Sequence, residues 1–306
     1  MIGYGQRAPL EFAGGGGGSM RKTSRLKALI QRPDILLCPG VYDAYLARCV
    51  EQAGFEALYM TGAGVSHARL GVPDLGLVSF SEMLDQAGRI ADAVEIPLIA
   101  DADTGYGNAI NVMRTIRAYE RAGVAGCHIE DQMAPKRCGH FDEKRVIPVN
   151  EMLGKLAAAL DARDDEDFVI IARTDARGVL DLDEALDRAH AYAAAGADVI
   201  FVESPRSEAE LARIGQSIDA PLLANMVETG LTPLLPATTL QQLGFDLVIH
   251  PGAIGRFIGK QLQSFLKTLK EEGTTISELE NMLDFESQNM IVGLPEMLAR
   301  AKRYQS

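Results

Sequence analysis

Five consecutive residues, Lys136-Arg137-Cys138-Gly139-His140, set two cations, a thiol, a glycine and an imidazole side by side. Nearby cations favour a thiolate, so Cys138 is a candidate proton donor or nucleophile. Lys136 and His140 would shape the field around it. No hydrophobic period fits the five, which places them in a loop. A second group is acidic. Asp101 and Asp103 stand two apart after an apolar run, Glu130 ends a later run, and Asp74 lies in a long loop. Four carboxylates, with no His/Cys cluster at zinc spacing, suit a hard cation, Mg²⁺ or Mn²⁺. A third group is basic. Arg173 and Arg256 are candidates for holding a carboxylate, which guanidinium grips with two parallel bonds. Each reading has a plainer rival. Asp101-Ala102-Asp103 could merely cap the next helix, Arg256 could be solvated, and Cys138 could be inert. His67, His128, His190 and His250 are read as lone histidines without a role.

These residues need elements to hold them. Eight short apolar runs recur along the chain, at 35–38, 57–60, 97–100, 126–129, 168–172, 199–202, 221–224 and 247–249. Unbroken apolar strands are covered on both faces, as in parallel sheets. Helical spacing fills nearly every gap, at 43–53, 108–122, 150–162, 182–195 and 207–217 among others, with Ser79 or Ser81 as a cap before a helix reaching 94. A longer helix is expected over 254–270. The pattern predicts an α/β fold, a (β/α)₈ barrel of the TIM type. A doubly wound open sheet is the runner-up. It would carry a glycine-rich phosphate loop after the first strand, and Pro39-Gly40-Val41-Tyr42-Asp43 is not one. In a barrel the active site lies at the C-terminal strand ends. Those ends carry Tyr59, Asp101, Asp103, Glu130, Arg173, Glu203 and Asn225, so the chain reads as an enzyme.

Composition narrows the class further. The chain has 306 residues and a formal net charge of −12, which argues against nucleic acid or an anionic membrane as partner. No apolar run approaches the roughly 18 residues of a membrane span. The four cysteines fit neither a zinc pattern nor a disulfide framework, and suit a reducing cytoplasm. Residues 1–19 end in a glycine run closed by Ser19 and read as a fusion segment, leaving 20–306 as one barrel domain with a helical C-terminal extension.

The loop at 136–140 resembles the Lys-Lys/Arg-Cys-Gly-His signature of the isocitrate lyase/phosphoenolpyruvate mutase superfamily. Asp101-Ala102-Asp103-Thr104-Gly105-Tyr106-Gly107, His128-Ile129-Glu130-Asp131-Gln132 and Ile171-Ala172-Arg173-Thr174-Asp175 resemble further blocks of that family, in its order. The likeness spans about residues 36–270. It implies a barrel whose last helix is exchanged between subunits of a homotetramer. It also implies Mg²⁺ on Asp101 and Asp103, with Asp74 and Glu130 helping partly through water. The 2-oxyacid end of a small carboxylate substrate would meet the amides of Thr61, Gly62 and Ala63. Arg173 would hold a carboxylate, Glu203 and Asn225 would line the pocket, and the loop bearing Cys138 and Gly139 would close over it.

The reaction implied is a retro-aldol cleavage between C2 and C3 of a 2-hydroxy acid, with Cys138 protonating the leaving carbon and Tyr59 on the base side. The cysteine points to a lyase, since the phosphonomutase branch lacks it, and the chain is shorter than full isocitrate lyases. This leaves lyases of the 2-methylisocitrate or 2,3-dimethylmalate type, and Asn225-Met226-Val227-Glu228 is more similar to the latter. A related oxaloacetate hydrolase would carry a serine near Pro251, so the proline also favours a lyase. A phosphonomutase of the carboxyphosphonoenolpyruvate type, an oxaloacetate decarboxylase or hydrolase, and a non-catalytic barrel remain the alternatives.

Overall fold

The computed structural model describes residues 20–139 and 144–305; the fusion segment expected at 1–19 and the candidate His140 lie outside the described residues. Eight parallel strands close into a barrel: β1 (Leu36–Val41), β2 (Leu58–Met60), β3 (Leu98–Asp101), β4 (Gly126–Glu130), β5 (Val169–Thr174), β6 (Val199–Val202), β7 (Leu222–Asn225) and β8 (Leu247–His250). Each pairs with its neighbours in chain order, and β8 returns to β1 with Leu36 opposite Leu247. All eight expected runs are strands. β1 runs through the Pro39-Gly40 turn that the sequence suggests and on to Val41, because Gly40 and Val41 pair with Tyr59 and Met60.

Helices cover the outside. They are α1 (Lys22–Gln31), α2 (Ala44–Gln52), α3 (Gly62–Val65), α4 (Phe80–Ala93), α5 (Ala109–Arg121), α6 (Val149–Ala162), α7 (Ala176–Val179), α8 (Leu182–Ala194), α9 (Glu208–Ser217), α10 (Ala237–Gln242) and α11 (Ala253–Glu272). A C-terminal extension adds α12 (Phe285–Ile291) and α13 (Leu294–Arg303). Ser79, not Ser81, caps α4, and Glu82 closes a capping box with it. Asn108 caps α5, so the Asp101-Ala102-Asp103 stretch is left without that duty.

Two layers of apolar side chains hold the barrel. One lies between strands and outer helices and includes Met83, Ile90, Ile116, Tyr119, Leu156, Phe168 and Tyr192. The other fills the barrel itself with Leu36, Cys38, Ile99, Ile171, Phe201, Leu223 and Ile249. Leu26 and Ile30 of α1 join this inner layer and plug its N-terminal end. The opposite, C-terminal end is therefore the open one, and it is where the polar strand ends emerge. Among the described residues no helix is long and apolar enough to cross a membrane.

Candidate active site

A cavity of about 500 Å³ opens at the C-terminal end of the barrel. Its wall includes Tyr59, Thr61, Ala63, Asp74, Asp101, Lys136, Cys138, Gly139, Arg173, Glu203, Asn225 and Arg256. Most residues singled out by type and spacing thus meet in one place. Asp103 and Glu130 lie just beneath, fully within the protein, at 7% and 1% exposure.

The strand register explains how they meet. Asp101 pairs with His128 across β3 and β4, and Glu130 with Arg173 across β4 and β5. The ends then link around the rim. His128 Nε2 stands 3.3 Å from Asp101 Oδ1. Arg173 Nη1 stands 3.2 Å from Glu130 Oε2, and Nη2 stands 3.4 Å from Glu203 Oε2. Asn225 Nδ2 donates to Glu203 Oε2 at 3.0 Å. Hydrogen bonds and ion pairs so join the ends of β3 to β7 into one arc.

Within the arc, Asp101 is an acceptor on both oxygens. Oδ1 takes the Asp103 N–H at 2.9 Å, and Oδ2 takes the Gly62 N–H at 3.1 Å and lies 3.5 Å from the Tyr59 hydroxyl. Burial opposes its ionisation, but His128 and Lys136 outweigh that and hold its carboxyl well below the usual range. Asp103 goes the other way. Burial and the neighbouring Asp101 and Asp74 charges push it up to about 6, against the pull of Lys136. Burial likewise lifts Glu130 well above the ordinary carboxylate range. Burial, and then Asp101, lift the Tyr59 hydroxyl well above its usual value, so Tyr59 acts as a neutral phenol.

Lys136 sits at the centre of the acidic half. Its Nζ lies 2.7 Å from Asp74 Oδ1 and 2.8 Å from Asp103 Oδ1. Burial works against the ammonium, yet the surrounding acids raise its pKa and keep it charged. Among the described residues, no three His, Cys, Asp or Glu side chains converge tightly enough to cage an ion unaided. Asp74 and Asp103 flank this ammonium, with Asp101 and Glu130 adding charge from further off. The donor set still fits Mg²⁺, which is commonly held by one or two carboxylates with water and substrate oxygens completing the shell. Two observations support the fit. A cationic group already rests between Asp74 and Asp103. Glu130 Oε1, buried, has no hydrogen-bond partner among the described residues.

Arg173 is fully engaged by the chain's own acids. Its Nε and Nη2 donate to the two oxygens of Asp175 at 2.9 and 3.1 Å. The expected amides are also partly committed, since Thr61 N–H donates to Val41 O and Gly62 N–H to Asp101. Arg256 stands apart. It is exposed on α11 at the outer rim and donates to Thr229 Oγ1 at 3.0 Å. Cys138 is half-buried on the cavity wall, with its N–H bonded to Asp74 O at 3.3 Å. Gly139 packs so closely that a Cβ there would fall 2.6 Å from Arg173 Nη2 and 2.8 Å from Glu203 Cδ. Its carbonyl accepts from Lys144 Nζ and, at 3.2 Å, from Ser204 Oγ.

His128, which has no partner visible in the sequence, has two in the structure. It is fully buried and shares a 2.7 Å hydrogen bond with Tyr59. The signal was available: residues two apart on a strand share a face, and Glu130 follows His128 at that spacing. The same spacing joins Arg173 to Asp175. Lys144 and Ser204 carried no such signal, because each reaches Gly139 from a separate loop.

A family profile described as phosphoenolpyruvate phosphomutase matches residues 26–270. The chain belongs to the isocitrate lyase/phosphoenolpyruvate mutase superfamily. It is 44% identical to a 2,3-dimethylmalate lyase of Eubacterium barkeri over 91% of this chain and 96% of that protein. An oxaloacetate acetylhydrolase solved with the inhibitor 3,3-difluorooxalacetate superimposes at a TM-score of 0.89, with 36% identity over 93% of this chain and 97% of that one. A phosphonopyruvate hydrolase solved with oxalate and Mg²⁺ superimposes at 0.85, with 31% identity over 94% of this chain and 100% of that one. This member of the superfamily is an enzyme and, like the named lyases it matches, a carbon–carbon lyase.

Proposed function

We propose that the enzyme is Mg²⁺-dependent and cleaves the C2–C3 bond of a 2-hydroxy di- or tricarboxylate of the 2,3-dimethylmalate or 2-methylisocitrate type. The products are a 2-oxo acid such as pyruvate and a carboxylate. The observation that carries this reading is one cavity with two unlike ends. Asp101, Arg173, Glu203 and Asn225, with Lys136, form a charged end at the strand ends, while Tyr42 and Val227 from the loops and Ile258 and Gly259 from α11 form an apolar one. Such a cavity suits an oxyacid head bearing an alkylated C3, and so favours the dimethylmalate type. Arg256, on α11, is turned toward Thr229.

Asp101 and Asp103 would hold Mg²⁺, with Asp74 and Glu130 acting through water. When bound, the ion supplies positive charge against the oxygens of the substrate's 2-oxyacid end. The remaining work falls to the chain. Tyr59, bonded to His128, is placed to relay the proton leaving the 2-hydroxyl group. As the C2–C3 bond breaks, its electron pair passes to C3 and its carboxylate as an enediolate. Cys138 donates its proton to that carbon, which yields the free carboxylate product. Gly139, pressed against Arg173 and Glu203, sets the depth of the Cys138 loop over the cavity.

We further propose a homotetramer of exchanged last helices. No residue of α11 is buried, and Phe257, Leu262 and Leu266 expose their side chains along it. An apolar stripe of this extent calls for cover from another subunit. Light scattering should give four times the chain mass.

The deciding experiment is a panel of 2-hydroxy di- and tricarboxylates with Mg²⁺, read out as release of pyruvate or glyoxylate. Cleavage of a 3-alkylated malate supports the reading. Turnover of a phosphonate or of oxaloacetate, with no 2-hydroxy acid cleaved, overturns it.

A further inference from the structure

Asp103, a proposed Mg²⁺ ligand, stands at the start of an unusual turn. Four of the five residues from Asp103 to Gly107 have positive φ: 47° at Asp103, 82° at Gly105, 60° at Tyr106 and 145° at Gly107. Asp tolerates this region better than most side chains, but two non-glycine residues in one turn, the bulky Tyr106 among them, still call for surroundings that hold it. The enforcement is visible in its carbonyls. Ala102 O accepts from Gly105 N at 2.8 Å, Asp103 O from Glu130 N at 2.9 Å, and Gly105 O from Thr115 Oγ1 at 3.3 Å. Between them, Thr104 O accepts from Lys155 Nζ at 2.9 Å.

Lys155 is an odd residue for that task. It lies on α6, a helix of the outer layer, at 4% exposure, and among the described residues its ammonium forms no ion pair. A lysine is rarely buried without a carboxylate. Burial lowers its pKa, opposed by the more distant Glu151, Asp131 and Glu130. A methionine would fill the same apolar space without desolvating a charge. The amine therefore earns its place through what it holds.

We propose that Lys155 is a positioning residue for the metal half of the site. By anchoring the Thr104 carbonyl it keeps Asp103 in the left-handed conformation that aims its carboxylate beside Asp101 and Asp74. This inference rests on the proposed Mg²⁺ site. Changing a residue that orients a metal ligand weakens binding by roughly 10- to 100-fold.

The test is titration calorimetry of Mg²⁺ into the full-length protein without substrate, on wild type, Lys155→Met and Lys155→Arg. Circular dichroism and melting temperature are recorded alongside. Lys155→Met should bind Mg²⁺ about tenfold or more weakly while melting normally, and Lys155→Arg, which keeps a donor, should recover part of the loss. The Mg²⁺ concentration for half-maximal activity should rise in step, with kcat at saturating Mg²⁺ retained. If Lys155→Met does not fold, Lys155→Gln is measured in its place by the same criterion. Wild-type affinity in a folded Lys155→Met (or its Gln substitute) overturns the proposal alone. Absence of Mg²⁺ binding by the wild type overturns the metal reading, and the proposal with it.

Discussion

The Tyr59 hydroxyl lies 2.7 Å from His128 Nε2, and that same nitrogen lies 3.3 Å from Asp101. Tyr59, Asp101 and His128 come from three consecutive strands, so the contact exists only once β2, β3 and β4 have paired in register. It links a proposed proton relay to a proposed metal ligand. Tyr59→Phe and His128→Asn should each lower kcat/KM, and the double variant should lose less than their sum. The coupling expected for residues in one hydrogen-bonded network is about 0.5–3 kcal/mol. Strict additivity across the cycle would show that the two act independently.

That contact also marks the limit of what the sequence reveals. The barrel was legible because each strand is a local apolar run, and each helix a local period. The address of the site was legible too, since Asp101, Glu130, Arg173, Glu203 and Asn225 end successive strands. Partnership was not. Whether Arg173 also meets Glu130 and Glu203 depends on the register between β4, β5 and β6, which no local pattern states. The stretch after Tyr59 misled for a related reason. Thr61-Gly62-Ala63-Gly64, small residues that by type suit a turn, instead open α3, which Thr61 caps, and the chain continues into a π-helix at Ser66–Leu70. Pro39 looked like a strand end, yet the barrel carries β1 past it.

Removal of divalent cations should abolish cleavage. Dialysis against EDTA followed by addition of Mg²⁺ or Mn²⁺ should restore it, and Ca²⁺, which prefers more ligands and longer bonds, should restore it poorly. Asp101→Asn should need far more Mg²⁺ for half-maximal rate, because one anionic donor is lost while Lys136 remains. Full activity in EDTA would remove the metal from the mechanism.

Gly139→Ala probes the fit of the loop. The added Cβ would meet Arg173 Nη2 at 2.6 Å and Glu203 at 2.8 Å, too close for either to stay in place. Overpacking of this kind costs about 1–3 kcal/mol. Since the clash lies at the site, kcat should fall roughly tenfold or more, with a smaller change in melting temperature. A variant with normal kcat would mean that the loop closes without touching Arg173 and Glu203.

Asp175 should govern part of the acid sensitivity. Burial opposes its ionisation, but Arg173 and Lys144 outweigh that and hold its carboxyl below the ordinary range. A carboxylate with a depressed native pKa gives its full stabilisation above the unfolded value, near ~3.9, and loses it as pH falls toward the native value. Urea midpoints should therefore drop steeply below about pH 4. Asp175→Asn should be less stable at pH 7, on the order of 3 kcal/mol for a broken buried ion pair, yet flatter below pH 4. Parallel wild-type and variant curves over that range would assign the acid sensitivity to other groups.

Cys138 decides between a lyase and a scaffold that only binds. Serine keeps the size of cysteine but is a far weaker acid, and loss of a positioned general acid typically costs about 10²–10⁴ in rate. Cys138→Ser should lose turnover by that order while binding Mg²⁺ and the 2-oxo acid product as the wild type does. Rapid cleavage by Cys138→Ser would move the proton donor elsewhere. The Asp74 carbonyl that bonds the Cys138 N–H would then locate the loop without any acid role for its thiol.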